Sequence, residues 1–110
     1  MQKLLKYRKN KRDITIGTSF ANLSINTNLD RLVELLGQVS FLGSGDDKVQ
    51  LEWAFYKSPT RVFTIYDYKE NKPIHEITDW HVGAKGFDRD EIVDELLKIG
   101  FTKDEIVIEN

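Results

Sequence analysis

"RVFTIYDYK", residues 61–69, is the stretch that decides the fold. It is rich in β-branched and aromatic residues and alternates, which predicts a strand. Arg61, Phe63, Ile65, Asp67 and Lys69 occupy the odd positions; Val62, Thr64, Tyr66 and Tyr68 occupy the even ones. Successive strand side chains point to opposite faces. Asp67 and Lys69 are therefore expected on the same face as Phe63 and Ile65. A buried charge costs about several kcal/mol unless it is paired. Either the strand runs out of the core there and both groups meet water, or the two form a working polar rim beside the tyrosines.

The neighbours on either side read as partners of this strand. In "VQLEWAFY", residues 49–56, Val49, Leu51, Trp53 and Phe55 share one face. "KSPT" follows as a turn, because Pro59 fixes its own φ and donates no ladder hydrogen bond. "ENKP" is a second turn, and "IHEITDWHVG", residues 74–83, is a third strand closed by Gly83 and Gly86. Turns this short join antiparallel neighbours, so the three strands form a meander.

Further out the period changes. In "TNLDRLVELLG", residues 27–37, Leu29, Leu32, Val33 and Leu36 recur at helical spacing, with Asn28 or Thr27 as cap and Gly37 as stop. The second helix has the clearest signal. Asp88 and Glu91 form an acidic capping box, and Ile92, Val93, Leu96, Leu97 and Ile99 make an apolar stripe. Lys98 suits the last turn, Gly100 ends the helix, and Phe101 folds back onto it. "EIVIE" reads as a short last strand. "DITIG", residues 13–17, reads as a first short strand, and "SFANLSIN" either continues it or forms the second arm of a hairpin. The order is β(β)αβββαβ. That is an α+β fold: a mostly antiparallel sheet with a central three-stranded meander and two helices on one face. Its 110 residues suit one domain over 1–110.

Composition narrows the classes. Apolar residues make up 40% and charged residues 31%, as in a globular domain. No apolar run approaches the roughly 18–20 residues that span a bilayer, and no apolar stretch follows the basic start, so neither membrane nor secretory signal is expected. Cysteine is absent, which removes thiolate catalysis and cysteine-based zinc sites and fits a reducing cytosol. The net charge of −2 conceals an asymmetry. Six bases and no acid lie in residues 1–12; the remainder carries ten bases against eighteen acids. The basic segment can contact nucleic acid phosphates, or it can be a first strand or frayed end with solvated lysines.

The candidate chemistry is sparse. "GSGDDK", residues 43–48, lacks the glycine-to-lysine spacing of a P-loop; Asp46 and Asp47 can bond local amides there. Asp79 and His81 share a face and can pair, whereas Trp80 points the other way. His75 and His81 lack the helical spacing of a zinc motif, so no metal or cofactor is expected. No serine sits in a nucleophile elbow, and no catalytic residue is assigned. Lys85 stands in the glycine loop "GAKG" before the second helix, where it can reach an anion. Tyr56, Tyr66, Tyr68 and Trp80 are expected on sheet faces the helices leave uncovered, a stacking platform or a dimer interface. The competing expectation is that the N-terminal segment covers that face.

Two resemblances bear on function. The order αβββαβ with "DYK" ending a meander strand resembles the core of the PD-(D/E)xK nucleases. That likeness implies Asp67 with Asp46 or Asp47 on Mg²⁺ and Lys69 orienting water, although no "PD" dipeptide precedes the motif. Over residues 28–100, "GSGDDKVQLEWAFY", "RVFTIYDYKEN" and "EITDWHVGAKG" are similar to a family of small accessory proteins of phages and large DNA viruses. This resemblance implies a viral protein in the cytoplasm of an infected host cell and names no reaction. The leading expectation is a non-enzymatic binding protein, a homodimer or higher oligomer, that intercepts a host molecule as a counter-defence. Its target is a nucleotide-like signalling ligand or a host protein. Asp47, Trp53, Asp67, Tyr68, Lys69, Trp80, His81 and Lys85 are the expected ligand-binding residues: Trp53, Trp80 and Tyr68 for stacking, Lys69 and Lys85 for phosphates. The alternatives are a protein–protein inhibitor of a host enzyme and the Mg²⁺-dependent nuclease.

Overall fold

In the computed structural model, which describes residues 4–7, 12–42, 51–68 and 72–109, the first six residues of "RVFTIYDYK" form strand β5 (Arg61–Tyr66) near the middle of an antiparallel sheet. On one side it pairs with β4 (Leu51–Ser58) across the Pro59–Thr60 turn, on the other with β6 (Asp79–Lys85). The expected meander is therefore present. Beyond β6 lie β2 (Ser19–Asn26) and then β7 (Ile106–Ile108). The outer edge of β4 is shared by β1 (Leu5–Lys6) at Phe55–Tyr56 and β3 (Phe41–Leu42) at Leu51–Glu52. Among the described residues, seven strands in this sheet with two helices make the α+β fold that the patterning predicts.

Helices α1 (Leu29–Leu36) and α2 (Arg89–Ile99) pack on one face, because each carries a single apolar stripe. Leu32 and Leu36 of α1 and Ile92 and Leu96 of α2 bury against Leu23, Ile25, Trp53, Phe55, Phe63, Ile65, Trp80 and Val82 of the strands. Each such side chain contributes about 1.5–3 kcal/mol by leaving water. The helix starts follow their sequence signals. Asn28 Oδ1 accepts from the Arg31 N–H at 2.9 Å, and Asp88 and Glu91 complete the capping box at 3.0 and 3.1 Å. Phe101 folds back as expected, its N–H on the Leu96 carbonyl at 3.1 Å and its ring buried.

Two local expectations change. The predicted strand over 13–17 is instead a 3₁₀ turn at Arg12–Thr15, and the Thr15 carbonyl accepts from both the N–H and the hydroxyl of Thr18. The run alternates, but its backbone bonds locally instead of joining a ladder. The strand predicted from residue 74 begins only at Asp79. Pro73 opens a 3₁₀ turn at Ile74–Glu76, with the Glu76 N–H on the Pro73 carbonyl at 2.9 Å. The basic segment contributes the two-residue β1, in keeping with its reading as a first strand. Val49, expected in the strand before the turn, lies outside the described residues.

Among the described residues, the second face of the sheet is covered over one half only. Tyr7, Phe41 and Ala54 form a small cluster there with Ile14 and Tyr56, and Val62 and Thr64 are buried on the same side. The other half, over β6 and β2, carries exposed and half-buried rings.

Candidate functional site

The expected site residues separate once the chain is folded. Trp53 and Trp80 are fully buried in the helix-side core, and each indole N–H is taken by a backbone carbonyl: Gly37 for Trp53 and Thr27 for Trp80, both at 3.0 Å. They offer no ring to a ligand, which corrects their reading as stacking residues. The cause is strand parity, since both point to the side the helices cover. Asp67 is buried as well, with Oδ1 accepting from the Leu51 N–H at 2.9 Å. It forms no exposed charged rim: it continues the core face of β5 and bonds the backbone of its neighbour strand. Lys85 donates from Nζ to the Ile16 carbonyl at 2.6 Å. Asp46, Asp47 and Lys69 lie outside the described residues.

Tyr68 and His81, by contrast, come together. Cross-strand register places Val107, Ser24, His81, Tyr66 and Glu52 in one row across five strands of the second face. Phe20 pairs with Gly83 one step along the sheet, and Tyr68 lies just past the end of β5. The His81 imidazole is the hub. Its ring centroid is 5.0 Å from Phe20, 5.8 Å from Tyr66 and 5.7 Å from Tyr68. Phe20, His81 and Tyr68 run in file, tilted by 39° and 31°, while Tyr66 stands edge-on to His81 at 71° and to Tyr68 at 86°. Offset and edge-to-face arrangements of this kind suit the ring quadrupoles.

Gly83 makes the cluster possible. A β-carbon there would lie 3.3 Å from Tyr66 Cε1 and 3.2 Å from Thr64 Oγ1, so the absent side chain is the space into which the Tyr66 ring leans. Phe20 was not singled out from the sequence. Its signal was present in the parity of β2: Leu23 and Ile25 face the helices, so Ser24 and Phe20 face away. What hid it is the register shift between Phe20 and Leu23, where Asn22 adopts φ 59°. Asparagine tolerates that conformation better than most residues.

Among the described residues, the carboxylates of Glu52, Asp79 and Glu109 lie around the rings. Burial pushes the Tyr66 phenol up to about 12, and the charge of Glu52 and the neighbouring Tyr68 add to it. The phenol thus keeps its proton and remains a donor. Asp79 Oδ2 lies 3.9 Å from His81 Nε2, too far for a hydrogen bond. Ser24 Oγ donates to Glu109 Oε1 at 2.7 Å. Among the described residues no three His, Asp or Glu side chains converge on a metal position. Asp67, buried on the Leu51 N–H, belongs to the face opposite Asp79 and His81.

Fold and site together define an α+β protein with helices on one side of its sheet and, among the described residues, a half-open aromatic surface on the other. Set against protein-family models, curated proteins and solved structures, the chain matches none. No helix among the described residues is long and apolar enough to cross a membrane.

Proposed function

We propose that this chain is a non-enzymatic binding module that captures its target on the open half of the sheet, over Phe20, Tyr66, Tyr68 and His81. The observation that carries this reading is the exposure of an ordered ring cluster: Tyr68 and Phe20 are each 38% exposed beside a half-buried imidazole. Leaving large rings in contact with water opposes folding. In return, rings already fixed on a sheet lose little further freedom when a partner settles on them. The likeness to viral accessory proteins supports a host molecule as the target, bound in the infected cell.

The ring cluster supports a different ligand chemistry from the nucleotide expected in the sequence. The stacking role falls to Phe20, Tyr68 and His81 in place of the tryptophans. Lys85 stands two pleats along β6 from His81, about 13 Å away, with its ammonium on the Ile16 carbonyl. Native mass spectrometry of protein drawn from host cells tests the reading. The wild-type chain is expected to carry a partner that Tyr68→Ala loses and Ile108→Ser, on β7, keeps. Equal retention by wild type and Tyr68→Ala overturns it.

A further inference from the structure

The ring cluster has a charged neighbour that selects its occupant. We infer that the open half of the sheet takes the guanidinium of an arginine presented by a partner protein, stacked on Tyr68 and His81 and paired with Asp79. This deepens the binding reading above and rests on it. Three observations converge. First, Phe20, His81 and Tyr68 form a shelf of rings with centroid spacings of 5.0 and 5.7 Å. The faces of phenyl and phenol rings are electron-rich and attract cations, arginine more often than lysine. Second, the Asp79 side chain is 56% exposed beside this shelf, and its 3.9 Å separation from His81 leaves room for a stronger partner. A guanidinium can stack its plane on a ring while its edge bonds a carboxylate in a fork, which an ammonium cannot do.

Third, the charge of the chain fits. Beyond residue 12 acids outnumber bases eighteen to ten. Glu109 stands near the row through its bond to Ser24, and Glu52 ends the row beside Tyr66. Two described cations are turned to backbone carbonyls, Lys85 to Ile16 and Arg89 to Glu109. A phosphate would meet carboxylates here; a planar cation meets rings and carboxylates together.

The test is a titration of the full chain, followed by ring and amide resonances, with three capped peptides alike except for a central arginine, citrulline or lysine. Citrulline keeps the plane without the charge, and lysine keeps the charge without the plane. The arginine peptide is expected to shift Phe20, Tyr68 and His81 and to bind at least about fivefold more tightly than either control, a factor in the range of one cation–π contact with its ion pair. Asp79→Asn should weaken the arginine peptide by about three- to tenfold, and Tyr68→Ala should abolish the shifts while the remaining spectrum stays native. Equal binding of citrulline, or no effect of Asp79→Asn, overturns the inference. Adenosine monophosphate is run alongside. If it moves the same rings and the arginine peptide does not, the face remains a binding site and the arginine assignment falls. If nothing moves them, both fall. Sedimentation of the protein alone covers the remaining occupant: a dimer that Tyr68→Ala dissolves assigns the face to a second copy and overturns the assignment to a different partner.

Discussion

Trp53 and Trp80 meet edge-to-face beneath the sheet, ring centroids 5.8 Å apart at 74°, and their indole N–H groups grip the two ends of one helix. Trp53 bonds the carbonyl of Gly37, just past the end of α1, and Trp80 bonds that of Thr27, just before its cap. The pair therefore serves as core and strap at once. An eight-residue helix is too short to persist alone in water, and this pair anchors it to β4 and β6.

Trp80→Phe removes the donor to the Thr27 carbonyl and leaves a void beside Trp53. A loss of about 1–3 kcal/mol is expected from the orphaned carbonyl alone, read by urea unfolding. Because the rings touch, the double change to phenylalanine should depart from the sum of the single changes. Unchanged stability in Trp80→Phe would show that α1 is held by other contacts.

Asp67→Ala takes the acceptor from the buried Leu51 N–H. Stability should fall by about 1–3 kcal/mol, and thermal unfolding of the wild type should be the same with and without Mg²⁺. A rise in melting temperature with Mg²⁺ that Asp67→Ala abolishes would instead revive the nuclease alternative.

Glu105 ties α1 to the segment after α2. Burial raises its carboxyl, but the bond from Arg31, the Thr102 N–H, the contact with Thr27 and the Arg31 charge outweigh burial and hold it at about 2, below the ordinary 4.5. A depressed carboxyl stabilises the fold above its unfolded value and ceases to do so as pH falls through its folded one. The contribution should thus be complete above about pH 4.5 and vanish toward pH 2. In acid titrations of stability, Glu105→Gln should lose that slope. Identical slopes in the two proteins would contradict the linkage.

Tyr66 should ionise at about 12, and the largest cause is burial, followed by the charge of Glu52. Phenolate absorbance should show a late step that Tyr66→Phe removes. Glu52→Gln should bring that step down while leaving burial to hold it above the ordinary value of 10.0. A step that does not move would remove Glu52 as a cause.

Local sequence signals served well wherever one element decides the outcome by itself. Asn28 and the Asp88–Glu91 pair cap their helices because a cap needs only the first turn. Leu32, Leu36, Ile92 and Leu96 enter the core because the period of a helix is fixed. The alternation of residues 61–66 placed Phe63 and Ile65 together for the same reason, and the meander followed from short connections. Residues 13–17 failed because alternation says nothing of whether a neighbouring strand exists to accept the backbone. Residues 74–78 failed because Pro73 turned the chain before the strand began.

The site required more than parity. Sequence alone determined that Trp80 and His81 point to opposite sides, that Tyr66 and Tyr68 share one side, and that the domain is α+β; covalent geometry and hydrogen-bond periods are local and hold in any packing. It could not say which side the helices cover. Only the tertiary structure decided that the tryptophans are interior, that Asp67 serves a backbone amide, and that Phe20 joins His81 from a strand some sixty residues earlier. Burial is a property of the assembled layers, so the same alternating pattern serves a core or a binding surface until packing chooses between its faces.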